Sequence, residues 1–216
     1  GADELSPTMF VMFSQFSSLA PDCIRPFDKE RKGLIMSEGS AVLLLEEEHH
    51  ARARGARIYA TLVGHGNFAD AHDMTHPHPD GLGARWSMKA ALKQGGLSTN
   101  DVDYVCAHGT GTPTNDPIEA KAIRAVFASH TDSLPVSSIK SMIGHTQGAA
   151  SAIESVACIL AMHEGFVPPT VNLRELDSEC PIDPVANKPR AHSVKVAMNN
   201  AFGFGGNISC VVYAKS

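Results

Sequence analysis

Asp103-Tyr-Val-Cys-Ala-His108-Gly-Thr110-Gly-Thr112-Pro113, followed at once by Asn115-Asp116-Pro-Ile-Glu119, is the stretch whose reading decides the fold class. Asp103 to Ala107 has the length and apolarity of a short buried strand. The strand ends at His108, a loop of small and hydroxyl-bearing residues follows, and a helix is predicted over 116–129. Strand, loop and helix in that order are the unit of an α/β sheet, and open α/β sheets build their sites at strand C-terminal ends. A small-residue turn there lets a ligand approach the backbone closely.

Outward from this unit the same alternation recurs. Upstream, helices are predicted over 7–19, with Pro7 at an early position, over 47–54, ending at Gly55, and over 84–93. The first is apolar on more than one face and calls for burial on several sides. Strands are predicted over 40–46, Val/Leu-rich and expected to be central in a sheet, and over 58–63. Polar loops are expected over 20–36 and 70–80. Downstream come a strand over 134–138, a small-residue-rich helix over 148–162, and strands over 194–199 and 208–214 joined by the turn Phe202-Gly-Phe204-Gly-Gly206.

The bulk numbers suit an ordinary soluble globular protein. The chain has 216 residues, 43% hydrophobic and 19% charged, with a formal net charge of −5 that offers no nucleic-acid surface. No apolar run is long enough to span a membrane, and Gly1 to Phe10 has no basic n-region of a signal peptide. Five scattered cysteines, an odd number without a C-x-x-C pair, point to reduced thiols and a cytoplasmic location. His49, His50, His65, His76 and His78 fit no zinc spacing, so no metal is expected. The glycines at 203–206 are no dinucleotide fingerprint, and no cofactor is expected.

Two further segments join the His108 loop as candidates: Ser138-Ile-Lys140-Ser-Met-Ile-Gly144-His145, just before a helix, and the glycine-rich turn. A histidine at a helix N-terminus is disfavoured as a cation. His145 is therefore expected to stay neutral and to offer a ring proton to an oxygen that gains charge, and two such histidines can hold an enolate.

In order and spacing, His108-Gly-Thr-Gly-Thr, Asn115-Asp-Pro-Ile-Glu119, Lys140-x-x-x-Gly144-His145 and Asn200-Ala-Phe-Gly-Phe-Gly-Gly206 resemble the β-ketoacyl synthases, condensing enzymes of fatty-acid and polyketide assembly. Arg25-Pro-Phe-Asp28, Pro168-Pro-Thr-Val-Asn172 and Asn187-Lys-Pro resemble that family's framework segments. The resemblance covers essentially the whole chain. It implies an α/β fold of the thiolase-like type, a layered α-β-α-β-α sandwich of two similar halves. Residues 1–56 would end the first half and 57–216 would form the second.

By the same resemblance, His108 and His145 would polarise a malonyl thioester carbonyl, and Lys140 would organise the site's charges. Glu119 would anchor that network, through Lys140 and water. Phe204, between Gly203 and Gly205, would gate an acyl pocket. Thr110 and Thr112 would hold a phosphopantetheine arm, with Thr75 at the pocket mouth. The partners implied are an acyl carrier protein, the upstream part of the synthase, which would carry the nucleophilic cysteine, and a second subunit in a homodimer or heterodimer. None of the five cysteines here sits in the expected Cys-Ser-Ser context, so the chain alone is expected to be inactive. Residues 1–22 hold no Lys or Arg, and Ser17 or a neighbour stands where relatives place a basic residue for carrier docking.

Two alternatives stay open. One is a non-catalytic partner of the chain-length-factor kind, against which the retained His108, Lys140 and His145 speak. The other is a thiolase acting on acyl-CoA, against which Val211-Val212 after Cys210 speaks, in place of Cys-x-Gly.

Overall fold

The computed structural model describes residues 1–216. In chain order the regular elements are β1 (Ala2–Asp3), α1 (Pro7–Gln15), β2 (Gly39–Ser40), α2 (Glu48–Ala53), β3 (Thr61–Ala69), α3 (Leu82–Gly95), β4 (Tyr104–Cys106), α4 (Asn115–Phe127), β5 (Val136–Ser137), α5 (Lys140–Ile143), α6 (Ala150–Glu164), β6 (Phe166–Val167), β7 (Arg190–Ala191), β8 (Val196–Gly203) and β9 (Asn207–Ala214). The centre is a mixed five-stranded sheet of order β3-β9-β8-β4-β5. β4 runs parallel to β5 and β8, while β9 is antiparallel to both β8 and β3.

Alternation along the strands builds two cores from one sheet. Val105, Met198, Ile208, Cys210 and Val212 face α3 and α4, where Met88, Ala91, Ile123 and Phe127 complete the larger cluster. Tyr104, Cys106, Ala197 and Tyr213 face α6, where Cys158, Ala161 and Met162 meet them. The result is helix, sheet, helix in three layers. A third, smaller cluster of Phe13, Ile24, Leu34 and Met36 seats α1 beside them.

Most predicted elements fall where expected, with ends moved by a few residues. The strand expected over 58–63 is the main shift: β3 begins at Thr61 and runs to Ala69. Its Gly64 and Gly66 lie beyond the expected end, and they are what lets α3 lie directly on the strand. A Cβ at either would fall 2.1 Å from a backbone oxygen of α3, Ala91 or Ser87. The Ser87 hydroxyl donates to the Gly66 carbonyl at 2.7 Å across that contact. α1 stops at Gln15, short of the expected residue 19, because Ser17 takes φ +52°.

The expectation of a central strand over 40–46 is not met. Only Gly39 and Ser40 pair, with Asp3 and Ala2, and the Ala41 amide adds one bond to the Gly1 carbonyl. Val42, Leu44 and Leu45 are 90, 85 and 72% exposed. A central strand needs a ladder on both sides, and this chain supplies no neighbour for these residues.

Candidate active site

The motif residues converge because the elements that carry them end at one edge of the sheet. β4 delivers His108 from its C-terminal end, β5 leads through Ser138 into α5 and His145, and the β8–β9 turn brings Phe202 to Phe204. The His108 and His145 rings lie 5.5 Å apart, edge to face at 81°, and Phe202 packs on His108 at 5.3 Å. Both histidines line a cavity of about 580 Å³, together with Thr75, Thr110, Thr112, Gly203 and Phe204. Gly205 is not on that wall; its amide donates to the Met74 carbonyl at 2.7 Å. None of the five cysteines lines the cavity.

Both histidines are held neutral. Burial is the main cause, pushing His145 down to about 3 and His108 well below its ordinary value; the Lys140 charge adds to it for both. The reason differs from the helix-terminus argument, since His145 sits between α5 and α6 and not at the first turn of either. The Gln147 amide donates to His145 Nδ1 at 3.1 Å, so the ring proton belongs on Nε2. His108 Nδ1 is buried without a partner.

Lys140 is buried beneath this pair, and its Nζ donates to Glu154 of α6; both side chains are 1% exposed. Glu119 is elsewhere. Its carboxylate accepts the His108 and Gly109 amides, each at 2.8 Å, and the Asn200 side-chain amide at 3.3 Å. It therefore braces the backbone of the His108 loop directly, and the direct partner of Lys140 is Glu154. Burial pushes the Glu119 carboxyl up to about 7 against the pull of those two amides.

Asp116, in the same motif as Glu119, ties the loop to a distant segment. Fully buried, it accepts the amides of Phe27 at 2.8 Å and Gly111 at 3.1 Å, and so pins the His108 loop to the segment carrying Phe27. Arg31 adds donors to the Thr112, Pro113 and Asp28 carbonyls and an ion pair with Asp177. The Thr110 and Thr112 hydroxyls bond each other at 2.9 Å. The Asp73 carboxylate caps a turn by accepting the Thr75 and His76 amides and the Thr75 hydroxyl, which also contacts the His76 ring.

Sequence reasoning missed Glu154 and Gln147, the bond from Asn200 to Glu119, and the tie that Asn199 makes to α6. Glu154 left a signal: Ala150, Glu154, Cys158 and Ala161 form the buried stripe of α6 at helical spacing, and a carboxylate on such a stripe must have a partner. Asn199 donates to the Ser151 carbonyl and Ser155 hydroxyl of the same helix. Gln147 acts through its backbone, which no side-chain pattern announces.

The fold, the histidine pair and its buried lysine set the ground for comparison with known proteins. The model of the β-ketoacyl synthase C-terminal domain matches residues 59–174, and that of the N-terminal domain matches residues 1–51. The chain belongs to the β-ketoacyl synthase family. It is 47% identical over 204 residues to nodulation protein E of Rhizobium sp. (strain N33), covering 93% of this chain and 50% of that protein. It is 47% identical over 191 residues to 3-oxoacyl-[acyl-carrier-protein] synthase 2 of Synechocystis sp. (strain ATCC 27184 / PCC 6803 / Kazusa), covering 88% of this chain and 46% of that protein. Among solved structures, the ishigamide ketosynthase/chain length factor superposes with a TM-score of 0.96 at 40% identity, over all of this chain and 53% of that one. A β-ketoacyl synthase from Burkholderia phymatum STM815 superposes at 0.95 and 37% identity, over 53% of its chain. The chain thus spans about half the length of the relatives it matches, and the thiolase-like α/β class is that of its structural neighbours. No helix is long and apolar enough to cross a membrane.

Proposed function

We propose that this chain is the decarboxylating half of a 3-oxoacyl synthase, joining an acyl thioester to a malonyl group carried on an acyl carrier protein. The observation that carries the reading is the pair of neutral histidines facing one cavity, with a buried lysine behind them. A malonyl thioester that loses carbon dioxide leaves an enolate, and its oxygen takes up charge. His145 Nε2–H and the His108 ring donate to that oxygen; neutral donors stabilise the forming charge without surrendering a proton. The enolate carbon then attacks the carbonyl carbon of the acyl group held as a thioester on a cysteine. The cysteine thiolate leaves and takes up a proton, and a 3-oxoacyl thioester remains on the carrier.

That cysteine belongs, on this reading, to the part of the synthase homologous to the remainder of the N-terminal domain. Cys106, Cys158, Cys180 and Cys210 are buried away from the cavity, and burial raises the last three thiols. Residues 1–56 complete that first half and 57–216 form the second, a division supported by the two domain matches. The exposed Val42, Leu44 and Leu45 mark where the first half's sheet continues. Thr110 and Thr112 line the way in for the phosphopantetheine arm, Thr75 stands at the mouth, and Phe204 gates. Cys210, within the core of β9, has no access to the cavity, which speaks against a thiolase role.

The test is release of carbon dioxide from a malonyl thioester, and condensation with an acyl primer, by the complete synthase containing this chain. Loss of decarboxylation in His145→Ala and His108→Ala supports the reading. Undiminished decarboxylation in both, or condensation that never appears with the cysteine half present, overturns it and favours the chain-length-factor role.

A further inference from the structure

Phe204 stands on a turn that leaves its side chain free to move. Gly205 and Gly206 have φ of +76° and +73°, and a Cβ added at Gly203 would meet nothing nearer than 3.8 Å. The backbone of the turn is tied by Gly205 N–H to Met74, by Asp70 N–H to the Gly206 carbonyl and by the Asn207 side-chain amide to the Phe204 carbonyl. None of these bonds holds the ring. What holds the ring is aromatic. Phe204 stacks on Phe13 at 5.6 Å and 23°, and Phe16 meets Phe204 edge-on at 5.7 Å and 84°. Phe16 also meets Phe13 edge-on, at 6.5 Å and 88°.

The two rings that meet Phe204 differ in kind. Phe13 is buried in the cluster with Ile24, Leu34 and Met36 and cannot move without that core. Phe16 is the C-cap that follows α1, is 46% exposed, and closes the three-ring cluster from the solvent side. All three rings line the cavity of His108 and His145.

We propose that Phe16 is a positioning residue, the latch that keeps Phe204 stacked on Phe13 and so sets how readily a bulky acyl group reaches the two histidines. The assignment rests on the reading of Phe204 as the gate of this site. Its test needs no condensation, so it stands apart from the test of the reaction itself. Aromatic pairs of this geometry stabilise by an amount that corresponds to a population change of about three- to tenfold. Opening of the cavity should rise by that factor when the latch is removed.

The complete protein is treated with diethyl pyrocarbonate, and ethoxycarbonylation of each histidine is followed by peptide mass spectrometry. Exposed His50 is the internal standard, and the fully buried Cys210 thiol, probed with a disulfide reagent, reports an intact core. Phe16→Ala is expected to speed modification of His108 and His145 by about three- to tenfold relative to His50. Phe16→Tyr, which keeps the ring, should restore the wild-type rate, and Phe16→Leu, which keeps bulk without the ring, should not. In a Phe204→Ala background the Phe16→Ala change should add nothing further. Equal protection in wild type, Phe16→Ala and Phe16→Leu would overturn the latch, as would an effect that multiplies in full on top of Phe204→Ala. If Cys210 becomes reactive in Phe16→Ala, the Leu and Tyr variants alone decide between these outcomes.

Discussion

Replacing Glu154 with leucine would leave the Lys140 ammonium buried beneath the histidine pair with no counter-charge. Both side chains are 1% exposed, and the ion pair is the contact the Lys140 Nζ makes with an acid. Removing one partner of a buried pair costs about 3–5 kcal/mol, because the other charge stays out of water. For a domain of this size each kcal/mol shifts the midpoint by about 2–4 °C, so Glu154→Leu should melt about 6–20 °C below wild type. Replacing both partners removes both desolvation costs, and Lys140→Met/Glu154→Leu should recover most of the loss or exceed wild type by about 1–4 kcal/mol. Urea unfolding followed by circular dichroism on all four proteins closes the double-mutant cycle. If the double variant is as unstable as the sum of the singles, the pair is not a coupled unit and the reasoning fails. The functional arm has the opposite sign. After burial, the Lys140 charge is the next cause that holds His108 and His145 neutral. The stable double variant should therefore show an acid limb in decarboxylation at a higher pH than wild type.

In the complete synthase, His108→Ala or His145→Ala should lower decarboxylation by about 10²–10³, the usual cost of one donor to a forming oxyanion, read from carbon dioxide release. The pH profile has two signs. His145, held near 3 against an ordinary 6.5, stays neutral through the physiological range and should give no limb near 6.5; as pH falls from 6.5 towards 3 the unfolded chain alone takes up its proton, and stability drops. Glu119, raised from 4.5 to about 7, behaves oppositely: its contribution is present below 4.5 and is lost as pH rises through 7. A midpoint near pH 7 in stability or rate should disappear in Glu119→Gln, and its persistence would count against the assignment. Gly66→Ala places a Cβ 2.1 Å from the Ser87 carbonyl oxygen and should destabilise by about 1–3 kcal/mol in denaturant melts, since α3 must lift from β3.

The motif order was legible because it rests on local chemistry: His108 at a strand end, Lys140 and His145 spaced around a short turn, and glycines flanking Phe204. So was the α/β class, from alternating elements, and so was a neutral His145, although its cause was not. What the chain's own order determined was which groups arrive at the edge of the sheet. It did not determine what they meet there. The Lys140–Glu154 pair joins residues on two elements, Glu119 reaches back to the amides of His108 and Gly109, and Gln147 sets a tautomer through its backbone. Those contacts depend on how α6, β8 and α4 pack on one sheet. The strand expected at 40–46 shows the same limit from the other side. Its apolar run is a local property, but a strand is a pairing between neighbours, and whether a neighbour stands beside it is decided only in three dimensions.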